Sequence, residues 1–203
     1  MARRKGNTDS LSTEEKIKEA ARKVFMRKGF SATRTRDIAE EAGINLALLN
    51  YYFRSKQKLF DEVMKEKIQT LLKTIIPVLQ DSSTTLDEKI KLIVVNYLKV
   101  LAKNNDLPIF VLNELRKDNV SFVSKLPVGK AILQTSFILQ LKQRKKNVDP
   151  VHFLVSMLGL IVFPFVAKPI LTQSGMISEK KFQSLMLERE QLIPLWMDAI
   201  LNK

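Results

Sequence analysis

The sequence predicts an all-α protein with a small N-terminal helical domain, residues 1–60, and a larger helical bundle, residues 61–203. Apolar residues recur at helical spacing along most of the chain, and no run alternates as a strand would. Charge and proline content also change near residue 60. Residues 1–60 hold no proline and carry a net charge of +7, whereas residues 61–203 hold all seven prolines and carry +6.

The N-terminal domain is predicted to contain three helices. The first has its apolar face at Ile17, Ala20, Ala21, Val24 and Phe25, with Thr13 as its expected cap and Gly29 as its stop. A short second helix carries Ile38, Ala39 and Ala42 and ends at Gly43. A short third helix carries Leu46, Leu49, Tyr52 and Phe53.

The C-terminal region is predicted to be entirely helical. A long apolar run from Leu59 to Ile76 marks one helix, and a run from Leu86 to Leu101 marks the next. Asp149-Pro150 reads as a helix start, and Pro164 and Pro169 are expected to kink or end the helix that contains them. The remaining helices are predicted at roughly 108–117, 129–146, 151–173 and 179–201.

Composition excludes many kinds of functional site. The chain has no cysteine and a single histidine, His152, which excludes thiolate chemistry and multi-histidine metal sites. No glycine-rich nucleotide cradle is present. We therefore expect no enzyme activity, no metal and no cofactor. The formal net charge of +13, from 34 Lys+Arg against 21 Asp+Glu, instead favours an acidic partner, with nucleic acid first and an anionic membrane surface second.

The segment TRDIAEEAGINLALLNYYF, residues 35–53, has the spacing of a helix-turn-helix. Gly43 suits the tight turn, and Asn45 is a good cap for the second of the two helices. That helix is predicted to bury Leu49, Tyr52 and Phe53. Its outward side chains, suited to a major groove, are Leu46, Ala47, Leu48, Asn50 and Tyr51. The spacing alone leaves a plain helical bundle open as an alternative.

Lys16 to Val63 resembles the N-terminal DNA-binding domain of the TetR family of transcriptional regulators. The matching marks are AA..VF...GF at 20–30, T...DIA..AG at 33–43 and L.YYF.SK..L at 49–59. The resemblance implies a homodimeric regulator, most often a repressor, released from double-stranded DNA by a small molecule bound in the second domain. Carried onto this chain, the family's DNA contacts fall at Arg34, Thr35, Arg36, Asn45, Leu46, Ala47, Leu48, Asn50, Tyr51 and Lys56.

The sequence departs from the family pattern at two positions. Many members have a capping Ser or Thr where Arg34 stands, and arginine cannot accept a backbone N–H there. Two alternatives are open: Arg34 is a DNA contact, or Thr33 and Thr35 cap the helix. Many members have a tyrosine at Asn50. The outward face of the third helix is apolar and offers few hydrogen bonds to base edges. Sequence recognition is therefore expected to depend on thymine methyl contacts, on Asn50 and the arginines, and on DNA shape.

The second domain resembles the family only in its helical layout. An effector pocket should be apolar with a few polar groups, and we expect a small apolar effector. The candidate lining residues are Tyr97, Phe110, Asn113, Phe137, Met157, Phe163 and Trp196, and for any one of them packing in the core is the favoured alternative. The helices near 151–173 and 179–201 are the expected dimer interface, as in the family.

Two other functions remain open from the sequence: a helical ligand-binding protein without DNA recognition, and a membrane-surface protein. Residues 151–167 are apolar but interrupted and short of the roughly 20 residues of a membrane-spanning helix, so no membrane association is expected. The N-terminus is basic and then polar, without the apolar run of a secretory signal, which predicts a cytoplasmic protein.

Overall fold

The computed structural model describes residues 12–116 and 132–202, and within them the regular structure is helical. The first six helices are α1 (Thr13–Ala32), α2 (Thr35–Ala42), α3 (Leu46–Tyr52), α4 (Lys56–Gln80), α5 (Leu86–Lys103) and α6 (Leu107–Arg116). After a short 3₁₀ turn (Ile132–Gln134) come α7 (Ser136–Arg144), α8 (Pro150–Gln173) and α9 (Glu179–Asn202). The predicted all-α fold is confirmed.

The chain divides into two compact units, residues 1–66 and 67–203, so the division falls within α4. The sequence suggested a boundary at residue 60. Each unit has its own apolar core. In the first unit that core includes Ile17, Val24, Phe25, Ile38, Leu49 and Leu59.

The ends of α1 differ from the prediction. Ser12, not Thr13, caps the helix, since its hydroxyl oxygen accepts a hydrogen bond from the backbone N–H of Glu15. Gly29 interrupts α1 with a left-handed φ of 72°, and one further turn follows it. Phe30, in that turn, packs with Phe25 and Phe60, at ring-centroid distances of 6.2 and 4.6 Å.

In the second unit, α9 packs mainly on α5, and α8 packs on α5, α6 and α9. The helix predicted over 129–146 is wrong in its extent: the described part is a 3₁₀ turn and a separate α7. Thr135 separates them because its backbone is extended, and its hydroxyl donates to the carbonyl of Ile132. Residues 129–131 lie outside the described part of the chain.

Helix α8 begins as predicted, with Asp149 accepting a hydrogen bond from the backbone N–H of Val151 and Pro150 in the first turn. The expectation that Pro164 or Pro169 ends the helix is wrong, because α8 runs through both residues; the alternative, a kink at these prolines, stays a prediction. Pro164 has no N–H to donate to the carbonyl of Leu160. The Arg189 guanidinium, from α9, donates to that carbonyl at 2.8 Å instead.

Helix α8 is long and apolar enough to cross a membrane by length and composition, although core helices of soluble proteins pass the same test. Most of its apolar side chains are not buried within one subunit. Exposed apolar side chains on α8 and α9 include Val155, Leu158, Phe163, Ile170, Leu187, Leu195 and Trp196. These exposed side chains are called the α8–α9 face hereafter; exposed apolar patches of this kind mark surfaces that bind another protein or a membrane.

Candidate nucleic-acid interface

The turn between α2 and α3 is held by Gly43. Its φ of 66° and ψ of 33° are left-handed, a conformation that side-chain-bearing residues rarely adopt. Its backbone N–H donates to the carbonyl of Glu40 at 3.1 Å, and the N–H of Ile44 donates to the carbonyl of Ala39 at 3.0 Å. These bonds satisfy the last carbonyls of α2 and turn the chain directly into α3.

Helix α3 begins at a side-chain cap. The Oδ1 atom of Asn45 accepts a hydrogen bond from the backbone N–H of Leu48 at 2.8 Å, as the sequence predicted. Leu49 and Phe53 are buried and fix the inner face of the helix. The helix therefore has one anchored side and one side free for a ligand.

The outer side of α3 carries most of the side chains predicted to meet DNA. Ala47, Leu48, Asn50 and Tyr51 are exposed, and Leu46 is half-buried. Tyr51 is 79% exposed. The prediction that Tyr52 packs inward is wrong: it is 38% exposed, and its ring stands edge-on to that of Tyr51, 5.4 Å away.

Helix α2 begins at Arg34, whose side chain cannot accept a backbone hydrogen bond. The carboxylate of Asp37 instead accepts from the backbone N–H of Arg34 at 2.9 Å. That bond lowers the pKa of Asp37, and the ion pair with Lys28 lowers it further, to a smaller extent. The expectation that Thr33 caps α2 is wrong, because its hydroxyl donates to the carbonyl of Gly29 at 2.6 Å.

Basic side chains of the first unit differ in whether a carboxylate neutralises them. Lys28 pairs with Asp37 at 3.0 Å, and Arg27 pairs with Glu41 at 3.4 Å. Arg34 and Arg36 are exposed, and within the described residues neither forms an ion pair. Thr35, between them, is half-buried. The start of α2 thus presents positive charge and outward backbone N–H groups, which favours a phosphate.

Lys56, at the start of α4, has a different environment. Its ammonium donates to the carbonyls of Phe30 and Thr33, at 2.9 and 2.8 Å. The same ammonium lies 4.3 Å from the centroid of the Phe30 ring. Two of its three donors are therefore used inside the domain.

Arg54 is a further candidate that the sequence interpretation did not include. It is exposed between α3 and α4 and forms no ion pair within the described residues. Its position in the sequence, directly after α3, could have identified Arg54 as a candidate DNA contact. The basic residues Arg3, Arg4 and Lys5, considered as a flexible arm, lie outside the described residues.

In the second unit, a cavity of about 220 Å³ lies between α5, α8 and α9. Its buried apolar side chains are Leu98, Phe165, Phe182 and Met186. At its edge the ammonium of Lys168 pairs with Glu179 at 2.5 Å and lies 5.2 Å from the centroid of the Phe182 ring. The cavity is therefore mostly apolar, with the Lys168–Glu179 ion pair and the polar side chains of Lys99, Asn105, Gln183 and Glu190 also among its lining.

None of the seven predicted pocket residues lines this cavity. Phe110, Phe137 and Met157 are buried in the core. Tyr97 is half-buried, and burial raises the pKa of its hydroxyl. Exposed residues in the set are Asn113, Phe163 and Trp196, the last two on the α8–α9 face. Their role as an effector pocket stays a prediction.

No cluster of three or more metal-ligating side chains occurs in the part of the chain that the structure describes. His152 is exposed in the first turn of α8.

Comparison with known proteins finds a family model that matches the first unit and relatives that match more of the chain. The family model for "Bacterial regulatory proteins, tetR family" matches residues 17–63. "Probable HTH-type transcriptional regulator YttP" of Bacillus subtilis (strain 168) is 29% identical over 164 residues, covering 77% of this chain and 78% of that protein. "Fatty acid metabolism regulator protein" of the same organism is 26% identical over 110 residues, covering 54% and 56% of the two chains.

A solved structure shares the fold over most of the chain. The regulator FadR from Bacillus subtilis, in complex with stearoyl-CoA, has a TM-score of 0.55 and covers 90% of this chain and 96% of its own. At 19% identity this likeness concerns the fold alone. These similar proteins are transcriptional regulators, in agreement with the expectation of a regulator rather than an enzyme.

Proposed function

We propose that the chain is a TetR-family transcriptional regulator, which the family-model match over residues 17–63 and the likeness to a probable regulator of Bacillus subtilis support, and that it acts as a cytoplasmic homodimeric repressor. It binds a palindromic operator in double-stranded DNA and leaves it when a small apolar effector binds the second unit. The observation that carries the proposal is the two-sided α3 helix. Leu49 anchors its inner side, while Ala47, Asn50 and Tyr51 are exposed.

The residues proposed to contact DNA fall into two groups. Arg34, Thr35, Arg36 and Tyr51 are suited to phosphates, since α2 begins there and Tyr51 offers a hydroxyl. Asn45, Leu46, Ala47, Leu48 and Asn50 are suited to base edges and thymine methyls in the major groove. The first group supplies affinity and the second supplies sequence preference.

The α8–α9 face supports the proposed dimer. Its exposed apolar side chains are costly in water, and a second copy of the chain can cover them about a twofold axis. A twofold dimer presents two α3 helices, so its operator is expected to be a palindrome with half-sites about one helical turn apart.

The second unit is proposed to hold the effector. Relatives concerned with fatty acid metabolism and with stearoyl-CoA favour an acyl compound, and the cavity beside Phe165 and Phe182 is a candidate site. Its volume of about 220 Å³ is below the usual range of roughly 300–1,000 Å³ for ligand pockets, which favours a small ligand or one part of a larger one.

Selection of bound duplexes from random DNA at near-physiological salt tests the proposal. We expect a palindrome and an affinity that falls steeply with salt, since phosphate contacts release counterions. Recovery of DNA without a common sequence from effector-free protein would overturn operator recognition. It would favour a helical ligand-binding protein.

Asn50→Ala is expected to change the preferred base at one position of each half-site. Loss of a bidentate amide contact removes about 1–3 kcal/mol of discrimination there. Tyr51→Phe is the matched comparison, because it removes only a hydroxyl and should weaken binding equally across sequences. Repeating the selection with both variants measures the difference. An unchanged preferred sequence for Asn50→Ala would show that this side chain does not read a base.

Ala102→Phe is expected to abolish effector release while leaving operator affinity unchanged. Ala102 is exposed at the edge of the cavity, so a larger side chain fills the space without disturbing the buried residues. The measurement is the concentration of fatty acids and acyl-CoA thioesters, stearoyl-CoA included, that halves operator binding. Lys103→Phe, at the next exposed position, is the control. Equal responses of both variants and the unaltered protein would place the effector outside this cavity.

A further inference from the structure

Lys56 makes contacts that a phosphate-binding lysine does not need. Its ammonium accepts no hydrogen bonds and has three N–H groups to donate. Two of them go to the carbonyls of Phe30 and Thr33, and the Phe30 ring lies against the same ammonium. The side chain is half-buried, unlike Arg34 and Arg36.

The two carbonyls belong to the last turn of α1 and the residue that follows it. Helix ends leave carbonyls without an intrahelical donor and carry partial negative charge. Gly29 breaks the regular α1 helix just before them, and the hydroxyl of Thr33 serves the carbonyl of Gly29. The ammonium of Lys56 donates to the carbonyls of Phe30 and Thr33, which come after Gly29 in the chain.

The contacts of Lys56 join the start of α4 to the α1–α2 junction, close to the proposed DNA-binding surface. Thr33 directly precedes Arg34, where α2 begins, and Lys56 lies four residues after the end of α3 at Tyr52. The bond from Lys56 to Thr33 therefore fixes the distance between the start of α2 and the segment that follows α3. One end adjoins Arg34, and the other directly follows α3, which carries Asn50 and Tyr51; these three residues are proposed to meet the same DNA.

We propose that Lys56 is a positioning residue for DNA recognition: it ties the start of α4 to the α1–α2 junction and thereby sets where Arg34 meets the phosphate backbone. This inference rests on the proposed function and corrects the expectation that Lys56 itself contacts DNA. Its action on DNA passes through Arg34.

The dependence of operator affinity on salt separates the two roles. A lost phosphate contact reduces the slope of log affinity against log salt by about 0.9 per contact. Lys56→Met keeps the length of the side chain and removes its donors. We expect it to lower operator affinity about tenfold or more, and we expect Lys56→Met/Arg34→Met to have the same slope as Arg34→Met. A separate phosphate contact at Lys56 predicts a further reduction of about 0.9 in the double variant. Arg34→Met is expected to reduce the slope by the full amount.

Lys56→Arg provides a second, independent comparison. Arginine binds phosphate well but its planar guanidinium does not replace a compact ammonium between two carbonyls. The positioning role predicts that Lys56→Arg stays impaired, whereas a direct phosphate contact predicts recovery. Recovered affinity in Lys56→Arg would overturn the proposal.

The double variant Lys56→Met/Arg34→Met tests whether Lys56 acts through Arg34. We expect its loss of affinity to be clearly smaller than the sum of the two single losses, measured at a temperature where circular dichroism shows every variant folded. Additive losses would overturn the proposal, because a residue that only stabilises the fold, or that binds DNA separately, does not couple to Arg34.

Amide hydrogen exchange without DNA keeps the inference separate from the proposed function. We expect faster exchange at Asp37 and its neighbours in the first turn of α2 in Lys56→Met, together with a melting temperature lowered by about 5 °C. Unchanged exchange there would overturn the positioning role. If the unaltered protein binds no operator, the proposed function is overturned. Faster exchange in Lys56→Met would still show that Lys56 holds the start of α4 to the α1–α2 junction.

Discussion

Phe163→Glu is expected to convert the dimer to a monomer and to abolish operator binding. Phe163 is 67% exposed on the α8–α9 face, so the substitution does not disturb the core of one subunit. In a twofold interface it occurs twice, and loss of a central aromatic costs about 2 kcal/mol or more each time. The sum, roughly 4 kcal/mol, weakens dimerisation about a thousandfold.

Sedimentation velocity across a range of concentrations measures this change, and operator binding is measured in parallel. Leu139→Glu is the matched control, since Leu139 is similarly exposed but lies on α7. We expect it to remain dimeric. A Phe163→Glu dimer as stable as the unaltered one would remove Phe163 from the interface. Binding of the unaltered protein to anionic liposomes, lost in Phe163→Glu, would instead assign this face to a membrane.

Ala47→Glu is expected to lower operator affinity at least about a hundredfold. Ala47 is exposed near the start of α3, where an acidic side chain is favourable for the helix, so the fold should be retained. A carboxylate facing the groove repels phosphates and removes a methyl contact. Like charges brought together at an interface cost several kcal/mol.

Met26→Glu is the control for this prediction, because it makes the same charge change at an exposed position of α1. Gel-shift titration of both variants at one salt concentration compares them. Equal losses would show that net charge, and not the position of α3, controls binding. An unaltered affinity in Ala47→Glu would remove α3 from the groove.

The helix-turn-helix was predictable because its determinants are local. Gly43, Asn45 and the buried Leu49 lie within seven residues, and each acts on neighbours a few positions away. Arg34 was also identified as an unsuitable cap from its chemistry alone. In the actual arrangement the backbone N–H of Arg34 donates to the carboxylate of Asp37, which lies in the first turn of the same helix.

Features that depend on distant residues were not predictable in this way. The sequence signals a break at Pro164, since a helical carbonyl loses its donor there. The compensating donor, Arg189, lies on another helix, and the residues near Pro164 in the sequence do not indicate it. Lys56 is a similar case: its position favours a phosphate contact, and only the fold brings the carbonyls of Phe30 and Thr33 to its ammonium.

The candidate pocket was harder still to predict. Composition selects large apolar residues, but the same residues serve a core, a cavity or an interface. Phe137 is buried and Phe163 is exposed, although both are phenylalanines in apolar helical runs. Phe165 and Phe182 border the cavity because α8 and α9 pack against each other there. The centroids of these two rings are 5.7 Å apart.

The bond from Arg189 to the carbonyl of Leu160 has a consequence for the order in which the protein is made. The two residues are 29 positions apart, so Leu160 leaves the ribosome before Arg189 does. Until Arg189 emerges, the most apolar of the described helices has a backbone carbonyl without its protein donor. A nascent chain that ends before Arg189 therefore lacks the protein donor for the Leu160 carbonyl, so the hydrogen bonding of α8 is completed only once α9 has been made.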